Sequence, residues 1–413
     1  MRFKKNLLYL TYKKMVTEPR EYFNASFSNE KYQNLLLDIE KDFPDMLDFR
    51  VAESPVFINK ELKIKILEAC NSVIDIIKKD DFLDKTQRAI PANCVVPNEN
   101  KRPNCLAIDF AITKNQQGEY EPQLIELQGF PSLFAYQSYL ASKYKKHFDV
   151  QKGFSEFFNR LNTMTYQQEM QSFLLNGSHP KNVVLLEVAP EKQKTRLDFA
   201  ISKKFWGIDA ICVSKIKKSG KDLFYERDGK KIGIERIFNR LIFDDLERNY
   251  PDLKPNFDIK EEHNAAWISH PNWFYRVSKF SLPLFQSKYI PESNYLSDLK
   301  EIPLNLENYV LKPLFSFAGA GVKIDVTRQD IENIKNPENY LLQKKIEYAP
   351  CIPDVNGEKI KCELRMLYIW PEESNYPRLM TNLARLSRGK MIGVDFNKNF
   401  DWVGGSSAFF ETN

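Results

Sequence analysis

Tyr309-Val-Leu-Lys-Pro-Leu314, Phe315-Ser-Phe-Ala-Gly-Ala-Gly321 and Val322-Lys-Ile-Asp-Val326 together form the stretch on which the reading of this chain turns. The first segment predicts a strand, Ser316 to Gly321 a turn of small residues, and the alternating 322–326 segment a returning strand. The result is a hairpin with a glycine-rich tip. Backbone N–H groups at such a tip can approach phosphate oxygens closely, because no side chain intervenes. Lys312 stands just before the tip, where an ammonium could reach an α- or β-phosphate. Taken alone, the same pattern equally describes a plain hairpin with an exposed lysine, so its meaning depends on its surroundings.

Downstream, Tyr340-Leu-Leu-Gln-Lys-Lys-Ile-Glu-Tyr-Ala-Pro350 reads as a strand end running into a connector. Lys359 to Trp370 (KIKCELRMLYIW) predicts a strand on which Glu363 and Arg365 share a face, because side chains alternate with period two. Such a pair forms a weak surface ion pair in solvent, or binds metal and phosphate in a cleft. Leu379 to Lys390 adds Arg385 and Arg388, either solvated or anion-binding. Trp402-Val-Gly-Gly-Ser406 reads as another small-residue turn, lining an acceptor site or preceding a frayed terminus.

Far upstream lies a second constellation. Cys105 to Ile112 (CLAIDFAI), a polar turn and Gln123 to Phe130 (QLIELQGF) predict two paired strands. Glu126 and Gln128 lie two apart and face one side, and Asp109 joins them from the neighbouring strand. Two carboxylates and an amide are hard oxygen ligands, suited to Mg²⁺ or Mn²⁺. Their apolar neighbours Ile108, Phe110, Ile125 and Leu127 argue against a fully solvated face.

Leu62 to Lys79 has helical periodicity, and Leu133 to Lys146 predicts a helix after Pro131. Val183 to Val188, Thr195 to Phe205, Ala210 to Val213 and Ile234 to Leu246 alternate strand and helix, which implies a parallel sheet covered by helices. Three units follow: 1–175, helical and carrying the acidic constellation; 181–265, the parallel sheet; and 266–413, with the lysine hairpin.

At 413 residues with 43% hydrophobic and 28% charged residues, the composition is that of a globular chain and excludes disordered or collagen-like classes. Sixty basic against 55 acidic residues is too small an excess to argue for nucleic acid, though it suits an anionic small ligand. No apolar run is long enough for a membrane helix. The apolar stretch near Met1 stops after four residues with no small-residue cleavage site, so it reads as mature protein. Six scattered cysteines without a Cys-x-x-Cys pair point to a reducing cytoplasm. The four histidines (147, 179, 263, 270) lack metal-ligand spacing. No Walker A, Gly-x-Ser-x-Gly, His-Glu-x-x-His or Gly-x-Gly-x-x-Gly signature is present, which removes P-loop, serine hydrolase, zincin and dinucleotide readings.

Together these segments resemble the ATP-grasp superfamily of ATP-dependent carboxylate–amine ligases, in the circularly permuted order of eukaryotic-type glutathione synthetase. Ser269-His-Pro-Asn-Trp-Phe-Tyr-Arg-Val-Ser-Lys279 looks like the first lysine segment and Ile290-Pro-Glu-Ser-Asn-Tyr295 like the stretch after it. YVLKPLFSFAGAGV resembles the second lysine with its flap, LLQKKIE the adenine hinge and CELR the acidic-x-Arg strand. AIDFAI and QLIELQGFPS resemble the metal motif, displaced toward the N-terminus.

The resemblance implies an α/β (α+β) ATP-grasp fold with a Rossmann-like substrate domain. It implies Lys279, Lys312, Ser316, Gly319 and Gly321 on the phosphates of ATP, with Gln343, Lys344 and Ile346 at the adenine. Asp109, Glu126, Gln128 and Glu363 would hold Mg²⁺ or Mn²⁺, and Arg365 and Arg385 would serve the transferring phosphoryl group. The implied activity joins a small-molecule carboxylate to an amine through an acyl phosphate. An ATP-grasp kinase, or a non-catalytic binding module, would use the same residues. Two departures stand out: Gln128 replaces the usual asparagine, and Ala107 stands where many members carry an arginine.

Overall fold

The computed structural model of the chain describes residues 17–314, 321–389, 397 and 399–412. Its centre is a sheet drawn from both ends of the sequence. Strand Cys105–Lys114 pairs antiparallel with Tyr120–Gln128, with Asp109 opposite Glu126 and Ala107 opposite Gln128. Along its other edge runs Lys359–Ile369, with Arg365 opposite Asp109 and Glu363 opposite Ala111. Arg378–Ser387 follows with Arg385 opposite Glu363, then Gly404–Ser406, and Pro350–Pro353 pairs with the start of Lys359–Ile369. All pairings in this six-stranded sheet are antiparallel. Period-two alternation therefore puts Asp109, Glu363, Arg365 and Arg385 on one face.

Strand Cys105–Lys114 is buried from Cys105 to Thr113, so neither face of the sheet centre is left to solvent. Helix Lys60–Ile77 packs against Tyr120–Gln128. Its buried Leu62, Ile66, Cys70, Val73 and Ile77 recur at helical spacing. Asn59 caps it by accepting from the Leu62 N–H at 2.9 Å.

Residues 183–268 contain a four-stranded parallel sheet in the order Ala266–Ile268, Arg236–Asn239, Val183–Glu187, Asp209–Cys212. Strand Val183–Glu187 is fully buried, as an apolar strand inside a parallel sheet should be. Helix Arg196–Trp206 crosses over to Asp209–Cys212 and ends at Gly207, whose φ of +74° is the left-handed conformation glycine tolerates. An antiparallel three-stranded sheet of 217–219, 222–227 and 230–234 is inserted before Arg236–Asn239.

Two local expectations change. The 322–326 segment is not a returning strand: only Lys323 bridges Leu311, with 2.9 Å backbone hydrogen bonds in both directions. Strand Tyr309–Pro313 instead pairs with Tyr340–Lys344, which in turn pairs with Ser293–Tyr295. The two partners lie on opposite edges of the strand, and the longer pairing is on the side where Leu341, Leu342 and Gln343 are buried, whereas Lys323 is exposed. Nor is Trp402–Ser406 a turn. Gly404–Ser406 is an edge strand, and a Cβ on Gly404 would run into the Arg50 carbonyl. Beyond it, Ala408–Glu411 pairs with Val56–Ile58 and Phe154–Ser155. No described helix is long and apolar enough to cross a membrane.

Candidate active site on the central sheet

Asp109 is 1% exposed and holds two arginines. Arg365 grips it in bidentate fashion, Nε to Oδ1 and Nη2 to Oδ2, both at 2.6 Å. The third donor of Arg365, Nη1, reaches the Ser132 hydroxyl at 2.8 Å. Arg385 donates through Nη2 to Asp109 Oδ2 at 2.7 Å and also to Glu363 Oε1. The other oxygen of Glu363 accepts from the Tyr348 hydroxyl at 3.1 Å. The six side chains thus form one relay: Ser132, Arg365, Asp109, Arg385, Glu363, Tyr348.

Glu126, one strand away, lies within electrostatic reach of two lysines brought in by separate segments. Strand Tyr309–Pro313 delivers Lys312, whose Nζ donates to the Ile125 carbonyl at 3.5 Å. The 3₁₀ turn Lys279–Leu284 delivers Lys279, which is 7% exposed. Gly129 makes that approach possible. A Cβ there would lie 2.5 Å from the Trp273 carbonyl and 2.9 Å from Val277 Cβ, so only glycine lets the 272–279 segment dock beside Glu126. The Gly129 N–H donates to the Val277 carbonyl at 3.2 Å.

The electrostatics follow from this crowding. Burial lowers the Lys312 ammonium to about 8; Glu126 pulls it upward and Lys279 pushes it further down. Burial also lowers Lys279, with Glu126 opposing. Burial pushes Glu363 up against the pull of Arg385, with Asp109 adding to the rise. For Arg385 burial disfavours the charge, but Glu363, Asp109 and Glu126 outweigh it and hold the guanidinium above its ordinary value. Burial and then Glu363 keep the Tyr348 hydroxyl protonated well past its usual range.

The remaining expected residues divide clearly. Each carboxylate oxygen of Asp109 and Glu363 accepts from a guanidinium or hydroxyl donor. Glu126 and Gln128 remain partly exposed beside them. Among the described residues no group of three or more acidic, histidine or cysteine side chains is arranged to hold a metal.

Ser316 and Gly319 lie outside the described residues. Gly321 has φ +71°, and a Cβ there would press within 3.0 Å of Pro313 Cγ, so this position requires glycine. Gln343 sits between two paired strands, with its amide donating to Ser293 Oγ at 2.9 Å. The Lys344 N–H donates to the Glu292 carbonyl at 2.8 Å, and its exposed ammonium pairs with Glu292. Of the three hinge residues, Ile346 alone lies beyond the strand pairing. Arg388 turns away to Asp354 and Asp401.

Sequence reasoning missed Ser132 and Tyr348. Ser132 ends the quoted QLIELQGFPS segment and could have been singled out there; Tyr348 lies in a connector with no periodic signal.

No protein-family model matches the chain, and no curated protein matches it in sequence. Among solved structures it is similar to a glutathione synthetase-like effector from Globodera pallida, determined in its apo form. The TM-score is 0.59 at 10% identity, covering 94% of this chain and 99% of that one. At that identity the likeness is one of fold, and it extends over nearly all of both molecules: the chain is a mixed α/β protein with a glutathione synthetase-like fold.

Proposed function

We propose that the chain is a Mg-ATP-dependent carboxylate–amine ligase of the ATP-grasp kind, with its motifs in permuted order. The observation that carries this reading is the convergence of Lys279 and Lys312 on Glu126, next to Arg365 and Arg385 on the same sheet. Four of these five residues come from the C-terminal third of the chain and one from its first third, and no packing requirement calls for so many buried and half-buried charges in one place.

In this reading Lys279 and Lys312 neutralise the α- and β-phosphates, the role that their sequence motifs imply. Mg²⁺ usually binds through one or two protein oxygens together with substrate phosphates. Glu126 and Gln128 supply hard oxygen donors of that kind, and they would hold the ion that screens the triphosphate. Asp109 and Glu363 instead fix the arginines.

A substrate carboxylate attacks the γ-phosphorus, ADP departs and an acyl phosphate forms. An amine nitrogen then adds to the acyl carbon, and phosphate leaves as the amide forms. No protein nucleophile is required: positioning and charge neutralisation carry the rate, and Arg385 faces the charge that develops. The permuted glutathione synthetase-like order and the Rossmann-like character of the parallel sheet belong to this proposal too. Ala107 in place of an arginine, together with Gln128 in place of an asparagine, favours a non-catalytic binding module as the second reading.

The test is thermal stability with ATP, with and without Mg²⁺. A ligand at a hundred times its dissociation constant stabilises by about 2.7 kcal/mol. The expected result is a Mg-dependent rise in Tm that Lys312→Ala removes; no rise at millimolar Mg-ATP sinks the ligase and kinase readings. ADP formation that disappears in Glu126→Ala separates an enzyme from a binding module, and product mass separates amide formation from phosphorylation.

A further inference from the structure

The two site arginines are not equivalent. All three kinds of donor on Arg365 are engaged, Nε and Nη2 by Asp109 and Nη1 by Ser132, and its side chain is 10% exposed. Arg385 is 35% exposed and clamped through Nη2 alone, by Asp109 and Glu363. Its Nε is buried and has no acceptor among the described residues. A buried, unanswered guanidinium N–H is costly unless something meets it. With more of its side chain exposed, Arg385 is the arginine with surface left to offer a ligand, provided that its plane is held in one orientation.

Glu363 holds that plane from one side and is itself a carboxylate with two oxygens. Oε1 takes Arg385, and Oε2 takes the Tyr348 hydroxyl. Tyr348 is rooted to the sheet by its neighbour, since the Ala349 N–H donates to the Ile112 carbonyl at 2.8 Å. We infer that Tyr348 is a positioning residue, which fixes Glu363 from the far side so that Arg385 keeps its partly exposed guanidinium oriented toward an incoming anionic group, the terminal phosphoryl of a nucleoside triphosphate. Without the hydroxyl, Glu363 is free to rotate and Arg385 to turn with it, while the aromatic ring still fills its place. Tyr348 also follows the connector that leaves Tyr340–Lys344. It thus joins the segment expected at the base to the arginine expected at the terminal phosphate. The identity of the anion rests on the ligase reading; the Tyr348–Glu363–Arg385 chain does not.

Tyr348→Phe tests it in two arms. In the nucleotide-free protein, the Nε–H of Arg385 is followed by ¹⁵N NMR, assigned by its loss in Arg385→Lys. Its solvent exchange should speed up about tenfold, consistent with losing a hydrogen bond to a charged group, while Arg365 stays unchanged. An unchanged Arg385 signal overturns the inference. Should Tyr348→Phe fold poorly, Glu363→Gln must produce the same change at Arg385.

In the second arm ATP should bind about tenfold more weakly while ADP binding holds, and no further loss should appear when Tyr348→Phe is added to Arg385→Lys. Equal losses for ATP and ADP, or additive losses in the double variant, overturn it. If the wild-type protein binds neither nucleotide, the ligase reading falls, and the NMR arm still decides the role of Tyr348.

Discussion

Two buried aspartates, one in each large sheet region, are used in opposite ways. Asp109 in the antiparallel sheet is 1% exposed and accepts three guanidinium hydrogen bonds from Arg365 and Arg385. Asp198, in the helix Arg196–Trp206 beside the parallel sheet, is 2% exposed and accepts the Tyr136 N–H at 2.8 Å, near the start of helix Phe134–His147. Burial pushes the Asp198 carboxyl up, with Arg240 opposing. One aspartate is a charge placed among charges; the other is an acceptor placed on backbone. The difference teaches where this fold accepts the cost of desolvated ions. On the central sheet the cluster of charges stands where the proposed nucleotide would meet it, whereas Asp198 accepts from backbone.

The largest effect should come from removing the charge that the arginines share. Asp109→Asn keeps the shape but leaves two guanidinium groups without their carboxylate. Breaking a buried pair in this way costs about 3–5 kcal/mol. Asp198→Asn retains an oxygen that can accept the Tyr136 N–H and should cost about 1 kcal/mol or less. Urea denaturation of both variants checks the contrast. Equal losses would mean that Asp198 too acts as a charge, with Arg240 as its counter-ion.

A smaller effect, of opposite sign for two observables, should appear with pH at Lys312. Its folded pKa of about 8 lies below the 10.5 of an ordinary lysine. Between those values the unfolded chain holds a proton that the folded one has released, so ligand-free stability should rise with pH from about 8 to 10.5. Over the same range the folded protein loses the charge proposed to meet phosphate, so ATP affinity should fall. Lys312→Arg keeps its charge throughout and should flatten both trends. Urea melts and ATP titrations from pH 7 to 10 measure the pair. Affinity that is flat in the wild type would remove Lys312 from the phosphate site.

The contrast between regions also explains what could be read beforehand. Helix Lys60–Ile77, the Cys105–Gln128 hairpin and the strand–helix–strand unit after Val183 announce themselves locally, because period and turn residues lie within one short window. The site does not. Asp109 meets Arg365 across 256 positions of sequence, and no local pattern specifies that these two face each other in register. Family resemblance names residue types and segments, not what their oxygens touch: Asp109 and Glu363, expected as metal ligands, accept from arginine and tyrosine donors. Alternation misled at 322–326: Lys323 does bridge Leu311, on the edge away from Tyr340–Lys344, but with only Val326 of this segment buried the pairing stops at one bridge. Tyr348 had no signal at all, because a single hydroxyl in a connector repeats nothing.

The smallest expected effect sharpens the comparison at its edge. Lys344 and Glu292 form an exposed ion pair at 2.8 Å, with side chains 55% and 58% exposed. Such pairs contribute about 0–1 kcal/mol, because water solvates both charges and salt screens them. If the Tyr340–Lys344 region meets adenine, it does so through backbone beyond the last paired residue, since the Lys344 N–H already donates to the Glu292 carbonyl. Lys344→Ala should therefore leave both the urea midpoint and ATP affinity within about a factor of three of wild type. A tenfold loss of ATP affinity with unchanged stability would show that the ammonium itself reaches the nucleotide. The basic part of the site would then extend from the buried lysines at Glu126 out to the exposed end of this small sheet, and buried charge would no longer be what sets the central sheet apart.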